Sequence, residues 1–207
     1  MIISEKSRFI FVAIPKTGTH AVRRALRPHL GDGDLEQVRL FEEKKFPIPE
    51  LASLRHGHIS LVQLRPFLEP EKFESFFKFA FVRNPFDRFV SYCAFMTRER
   101  KEFERDPQAV MRHVLFTAPP MRHILFQPQH SFIADEDGEL LTDYVGRVEE
   151  MQTSFDEVCD RIGLPRTELA KVNESSREDY RKYYDQQLID GVAKLYGRDL
   201  ELFGYEF

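Results

Sequence analysis

The chain has 207 residues, 42% of them hydrophobic, and 30 Lys and Arg against 34 Asp and Glu give a formal net charge of −4. That length buries one sizeable core and predicts a single domain over residues 1–207, while the acidic balance gives no support to bulk nucleic-acid or polyanion binding. Cys93 and Cys159 form no CxxC pair, so neither a disulfide framework nor a structural zinc site is suggested, and any anion site has to be local.

The first strong element is Phe9 to Ile14, a run of β-branched and aromatic residues without polar alternation. It predicts a strand buried on both faces. Glu5, Lys6 and Arg8 precede it, a pattern of neither signal peptide nor membrane span; read as the native start, it predicts a cytoplasmic protein. Pro15 ends the strand, Gly18 lets the backbone turn, and Thr19 suits the N-cap of a helix with Val22, Ala25, Leu26 and Leu30 on one face and Arg23, Arg24 and Arg27 largely on another. Backbone N–H groups at such a helix start, beside Lys16 and two threonine hydroxyls, suit a phosphate or sulfate. The same letters also fit an ordinary strand, turn and helix with a solvated lysine.

Gly31 to Asp34 reads as a turn, and Glu42 to Pro49 as a charged connection. In Arg55-His56-Gly57-His58 two histidines flank a glycine that predicts a bend. Phe76 to Val82 predicts a second buried strand, converted into a helix by Asn84 at the N-cap, Pro85 at the first helical position and Asp87 in the first turn. On that helix Phe86, Phe89, Val90 and Cys93 form the apolar side, and Arg88, Ser91, Tyr92 and Phe95 the other. Helical side chains lean toward the N-terminus, so Ser91 is directed toward Arg83 and the two could share one anion.

Arg98 to Arg105 reads as a solvated charged face, and His113, His123 and His130 fall in an irregular middle region that could line an acceptor pocket. Tyr144 to Val148 predicts a third strand, Met151 to Ile162 a helix stopped by Gly163-Leu164-Pro165, and Leu188, Val192 and Leu195 the stripe of a closing helix that ends at Gly197. Strands alternating with helices predict a three-layer, P-loop-like α/β domain with a mostly parallel central sheet. The first turn lacks G-x-x-x-x-G-K-[ST], and no acidic strand end presents itself for a metal, which disfavours an ordinary ATPase or GTPase.

Pro15-Lys16-Thr17-Gly18-Thr19 resembles the 5′-phosphosulfate loop of sulfotransferases that use 3′-phosphoadenosine-5′-phosphosulfate (PAPS), and Arg83 to Ser91 resembles their 3′-phosphate motif. His56-Gly57-His58 is similar to the histidine pair of the uronyl 2-O-sulfotransferase branch, while Val145 to Glu149 and Tyr196 to Tyr205 resemble the broader type 2 pattern. The likeness covers most of the chain and is weakest across residues 95 to 130. It implies a 5′-phosphosulfate held by Pro15, Lys16, Thr17, Gly18 and Thr19, with His20 where a second hydroxyl residue is common, and a 3′-phosphate held by Arg83 and Ser91, with Arg177 as a further contact. It also implies a transfer from PAPS to an acceptor hydroxyl of a carbohydrate or small molecule, leaving adenosine 3′,5′-bisphosphate (PAP), with no metal required. In that scheme Lys16 stabilises the leaving oxygen, His58 is the general base and His56 assists. Arg98, Arg100, Lys101, Arg105, Arg112 and Arg122 are the available basic lining for a charged acceptor. Two rival readings stay open at this point: a kinase with an atypical phosphate loop using ATP and magnesium, and a non-catalytic nucleotide-binding or interaction domain.

Overall fold

The computed structural model describes residues 1–37, 46–170 and 179–207. The first half of the Glu42–Pro49 connection, and Arg177 with the residues around it, lie outside the described residues. The chain forms two compact units, Met1–Val82 with Gln129–Val172 and Arg83–Pro128 with Asn173–Phe207.

The first unit is built on a five-stranded mixed sheet, β1 (Ile2–Ser4), β2 (Phe9–Val12), β3 (Leu35–Glu36), β4 (Phe77–Val82) and β5 (Tyr144–Arg147), in the order β3-β1-β2-β4-β5. β2, β4 and β5 run parallel, with β2 and β4 inside the sheet, as their buried apolar runs require, and β5 at its edge, and helices flank the sheet. Residues 9 to 14 are all buried, and the register Phe11↔Phe79 brings the two rings into a stack with centroids 5.2 Å apart. Phe9 and Phe81 extend that aromatic ladder, and each such pair contributes about 1 kcal/mol beyond the area it buries. Val22 and Leu26 of the Thr19–Leu26 helix and Phe155, Val158 and Ile162 of the Met151–Ile162 helix complete the same core. Gly163 closes the latter helix at φ 68°, the left-handed stop expected of it.

Two strands were not anticipated. β1 pairs antiparallel with β2 and β3, and three residues and two residues are too short to show a period. The Asp34 carboxylate holds the β1–β2 turn, accepting from Ser4 Oγ at 2.6 Å and from the Glu5 and Lys6 amides. The first helix also departs from expectation. Gly18, at φ 71°, occupies the N-cap and Thr19 is the first helical residue. Arg23, read as part of a polar face, is 4% exposed.

Gly146 on β5 marks a tight approach between sheet and helix. A Cβ there would sit 2.8 Å from Cε1 of Phe81 and 2.9 Å from Cβ of Ser154. Gly146→Ala is therefore expected to destabilise the protein by about 2 kcal/mol, the ordinary cost of overpacking a core. Urea denaturation checks this, and an unchanged midpoint would show that the gap relaxes freely.

In the second unit the Pro85–Met96 helix starts as its sequence dictates. Asn84 Oδ1 accepts from the Phe86 amide at 3.0 Å, and Asn84 Nδ2 donates to the Glu206 carbonyl at 2.8 Å. The side of that helix opposite Phe86, Phe89, Val90 and Cys93 is also buried at Arg88, Ser91 and Tyr92. The reason is a second layer of helix, Gln186–Leu195 and Gly197–Phe203, whose Leu188, Val192 and Tyr196 share its core. Arg88 is accommodated by donating to the Gln127 carbonyl at 2.8 Å, with its guanidinium over the Tyr196 ring. Tyr184 and Tyr196 donate to the Phe86 and Phe126 carbonyls. Gly197 opens a new helix rather than ending the chain's last one, because the break falls at Tyr196. Arg112 is committed to Asp185 and Gln187 within this unit.

Candidate active site

The loop after β2 is shaped for an anion by its backbone. Lys16 and Gly18 both take the left-handed conformation, at φ 66° and 71°, and this is an uncommon and costly choice for lysine. Thr17, 1% exposed, donates its hydroxyl to the Ile14 carbonyl at 2.9 Å and so staples the loop to the strand end. Pro15 and Thr19 are buried, Lys16 is half-buried, and Gly18 and His20 are exposed. The Thr19–Leu26 helix has no side chain bonded at its N-cap and no acidic residue in its first turn. Both features leave the positive end of the helix suited to a ligand's negative charge. Packing from below fixes the turn, since a Cβ on Gly18 would meet Cε of Met151 at 2.7 Å.

The histidine pair belongs to the same unit and reaches the same strand end. His58 Nδ1 lies 2.6 Å from the carbonyl oxygen of Ala13, the residue two before Pro15. A carbonyl only accepts, so Nδ1 carries the proton and the lone pair of the neutral ring is on Nε2. The His58 amide donates to His56 Nδ1 at 3.3 Å, which assigns the opposite tautomer to His56, with Nε2–H as a donor. The rings are 6.1 Å apart. Burial pushes the His58 imidazole down to about 3, against the pull of the Ala13 carbonyl, and the N-terminal amine, Arg23 and His56 add to the downward push. Burial lowers His56 as well. At neutral pH the pair is uncharged, one ring presenting a lone pair and the other an N–H.

In the second unit Arg83, directly after β4, is held by Asp87, with Nε and Nη2 each 2.6 Å from Oδ2. The carboxylate predicted as a helix-start charge therefore also orients the guanidinium, a partner the sequence reading did not assign. Ser91 lies about two turns further along the helix and is 5% exposed. Among the described residues no group of three His, Cys, Asp or Glu side chains could hold a metal ion.

The sequence pattern of the Sulfotransferase family matches residues 1–206. The chain belongs to the type 2 sulfotransferase family. The chain is 22% identical over 186 residues to human carbohydrate sulfotransferase 14, an alignment covering 80% of the chain and 47% of the human protein. It thus spans about half the length of that curated relative. No solved structure gives a significant match. The candidate residues fall in two groups, the Lys16 loop with His58 and His56 in one unit and Arg83 with Asp87 in the other. The residue that the sequence reading missed is Arg23, whose helical position puts it among two other arginines and gives no sign of burial.

Proposed function

We propose that this sulfotransferase moves the sulfuryl group of PAPS to an acceptor hydroxyl by in-line attack, with His58 as general base. The observation that carries the reading is the hydrogen bond from His58 Nδ1 to Ala13 O at 2.6 Å, which sets a neutral imidazole lone pair beside the strand end that leads into the anion-shaped loop. The residues fit the donor's chemistry: an uncapped helix start and a half-buried lysine suit a phosphosulfate, and an arginine pre-oriented by a carboxylate suits a phosphate.

When bound, PAPS supplies the sulfuryl group and a bisphosphate leaving group. His58 Nε2 takes the proton as the acceptor oxygen forms its bond to sulfur and the bond from sulfur to the 5′-phosphate oxygen breaks. Lys16 and the backbone N–H groups at the helix start stabilise the charge gathering on that oxygen. Thr17 keeps the loop in shape through its bond to Ile14, Gly18 supplies the turn, and Thr19 and His20 lie in the first helical turn beside the phosphate. His56, as a donor, orients the acceptor. Arg83 holds the 3′-phosphate, with Ser91 beside it. Support for a carbohydrate acceptor comes from the name of the human relative, a carbohydrate sulfotransferase, and from the likeness of the histidine pair.

Calorimetry tests the donor. PAP is expected to bind more tightly than 5′-AMP or ATP with magnesium, and Arg83→Ala is expected to weaken PAP about tenfold or more while leaving 5′-AMP nearly unchanged, the loss expected for one charge-assisted contact. Equal weakening of both nucleotides would remove the 3′-phosphate assignment. A preference for ATP with magnesium would replace the reading with a kinase. Transfer of labelled sulfate from PAPS, with polysaccharides and simple alcohols compared as acceptors, then tests the acceptor class.

A further inference from the structure

A buried arginine carries a large desolvation cost, so its partners say what it is for. Arg23 lies on the helix that follows the donor loop, and its Nη2 donates to two main-chain carbonyls, Gln37 O at 2.9 Å and Gly57 O at 3.2 Å. Gly57 is the residue between the two histidines. The contact leaves no slack: a Cβ on Gly57 would be 2.2 Å from Gln37 O and 2.6 Å from Arg23 Nη2. Gln37 closes the network by donating from Nε2 to the His56 carbonyl at 2.7 Å and to the Leu51 carbonyl at 2.9 Å. The Met1 nitrogen also meets Gly57 O, at 2.6 Å. The turn carrying both histidines is thus tied to the donor-loop helix through one guanidinium, and to the loop's own strand through His58 and Ala13.

We propose that Arg23 is a positioning residue for proton transfer: by holding the Gly57 carbonyl it fixes the His56–Gly57–His58 turn against the donor-loop helix, so that His58 keeps its Nδ1–H on Ala13 and its lone pair on Nε2. This rests on the reading of His58 as the base. The charged and titratable groups around His58 are His56 on its own turn, the Met1 amine just before β1 and Arg23 on the helix, with Glu36 of β3 at 4.0 Å from Arg23 Nε. The cation of Arg23 therefore acts on His58 through space as well as through the turn.

Two variants separate the contributions: Arg23→Gln keeps a donor without the charge, and Arg23→Lys keeps the charge with a different reach. Imidazole nitrogen NMR on the full chain reads the His58 tautomer and titration without any turnover, and steady-state kinetics with PAPS reads the outcome. In Arg23→Gln, His58 is expected to gain Nε2–H tautomer and to titrate higher as a neighbouring cation is lost. Its kcat is expected to fall about 100-fold, the penalty of a misplaced reacting group, with PAP affinity kept within a few-fold. Arg23→Lys is expected to keep the low titration and recover part of kcat. An unchanged His58 tautomer and titration in Arg23→Gln, or PAP affinity falling in step with kcat in both variants, overturns the proposal. If Arg23→Gln does not fold, Arg23→Lys decides: reduced kcat at unchanged PAP affinity supports the role and unchanged kcat overturns it. Should His58→Gln leave transfer intact while Arg23→Gln shifts the tautomer, the base assignment fails and the positioning role stands.

Discussion

Lys16→Ala is expected to lower kcat by about 10³-fold while PAP binds within a few-fold of its original affinity. The asymmetry follows from where the charge appears. On the proposed reading the ground-state charge of the 5′-phosphosulfate is met by the helix start, whereas the bridging oxygen gains charge only as the bond to sulfur breaks. A cation beside it does most of its work in the transition state, and removal of one such group from a preorganised site costs about 10²- to 10³-fold. The backbone does not confuse this comparison, since residue 16 sits at φ 66° and alanine meets the same left-handed strain, of order 1–3 kcal/mol, that lysine does. Lys16→Gly relieves that strain and still lacks the ammonium. It is expected to be more stable than Lys16→Ala and equally inactive. Single-turnover rates with PAPS and calorimetry with PAP check both variants. A Lys16→Ala enzyme that turns over normally would end the assignment, and a matched loss of kcat and PAP affinity would make Lys16 a binding group only.

Much of this site is written locally. A buried apolar run ending in Pro15 and a left-handed Gly18 specify a strand, a turn and a helix start within ten residues, and Asn84-Pro85 does the same for the second junction. Such signals depend on near neighbours, so the sequence carries them whole. What it could not carry were contacts made across the chain. Arg23 looks solvated on a helical wheel because a wheel knows nothing of the carbonyls at 37 and 57 that surround it. Arg88 and Tyr92 lie outside the side read as core because Tyr196 and the helices after residue 185 that pack there are remote in sequence. Asp87 was legible as a helix-start charge but not as the partner of Arg83, although the i, i+4 spacing was there to be used. The antiparallel strands at Ile2–Ser4 and Leu35–Glu36 escaped for the plainest reason, that each is shorter than the pattern that would identify it.

His58→Gln is expected to lower kcat by 10²- to 10⁴-fold, about the worth of a positioned general base, and to improve tolerance to acid. The two effects have one origin. Burial and neighbouring cations hold the folded imidazole down at about 3, whereas the unfolded chain takes up that proton near the ordinary histidine value of about 6.5. Between those two values the unfolded state binds more protons than the folded one, so stability that is complete above about pH 6.5 drains away as the pH falls toward 3. Glutamine takes up no proton in either state, and the variant should lose less stability between pH 7 and pH 4.5 than the parent, whatever the substitution costs at neutrality. Catalysis runs the other way. A base this weak in the free protein becomes effective once the negative charges of the donor offset the cations around it, so the acidic limb of kcat should lie at higher pH than that of kcat/KM. Urea midpoints at the two pH values and pH–rate profiles check these expectations. Equal acid sensitivity in parent and variant would show that His58 titrates normally in the folded protein, and an unimpaired kcat would transfer the base's role to another residue.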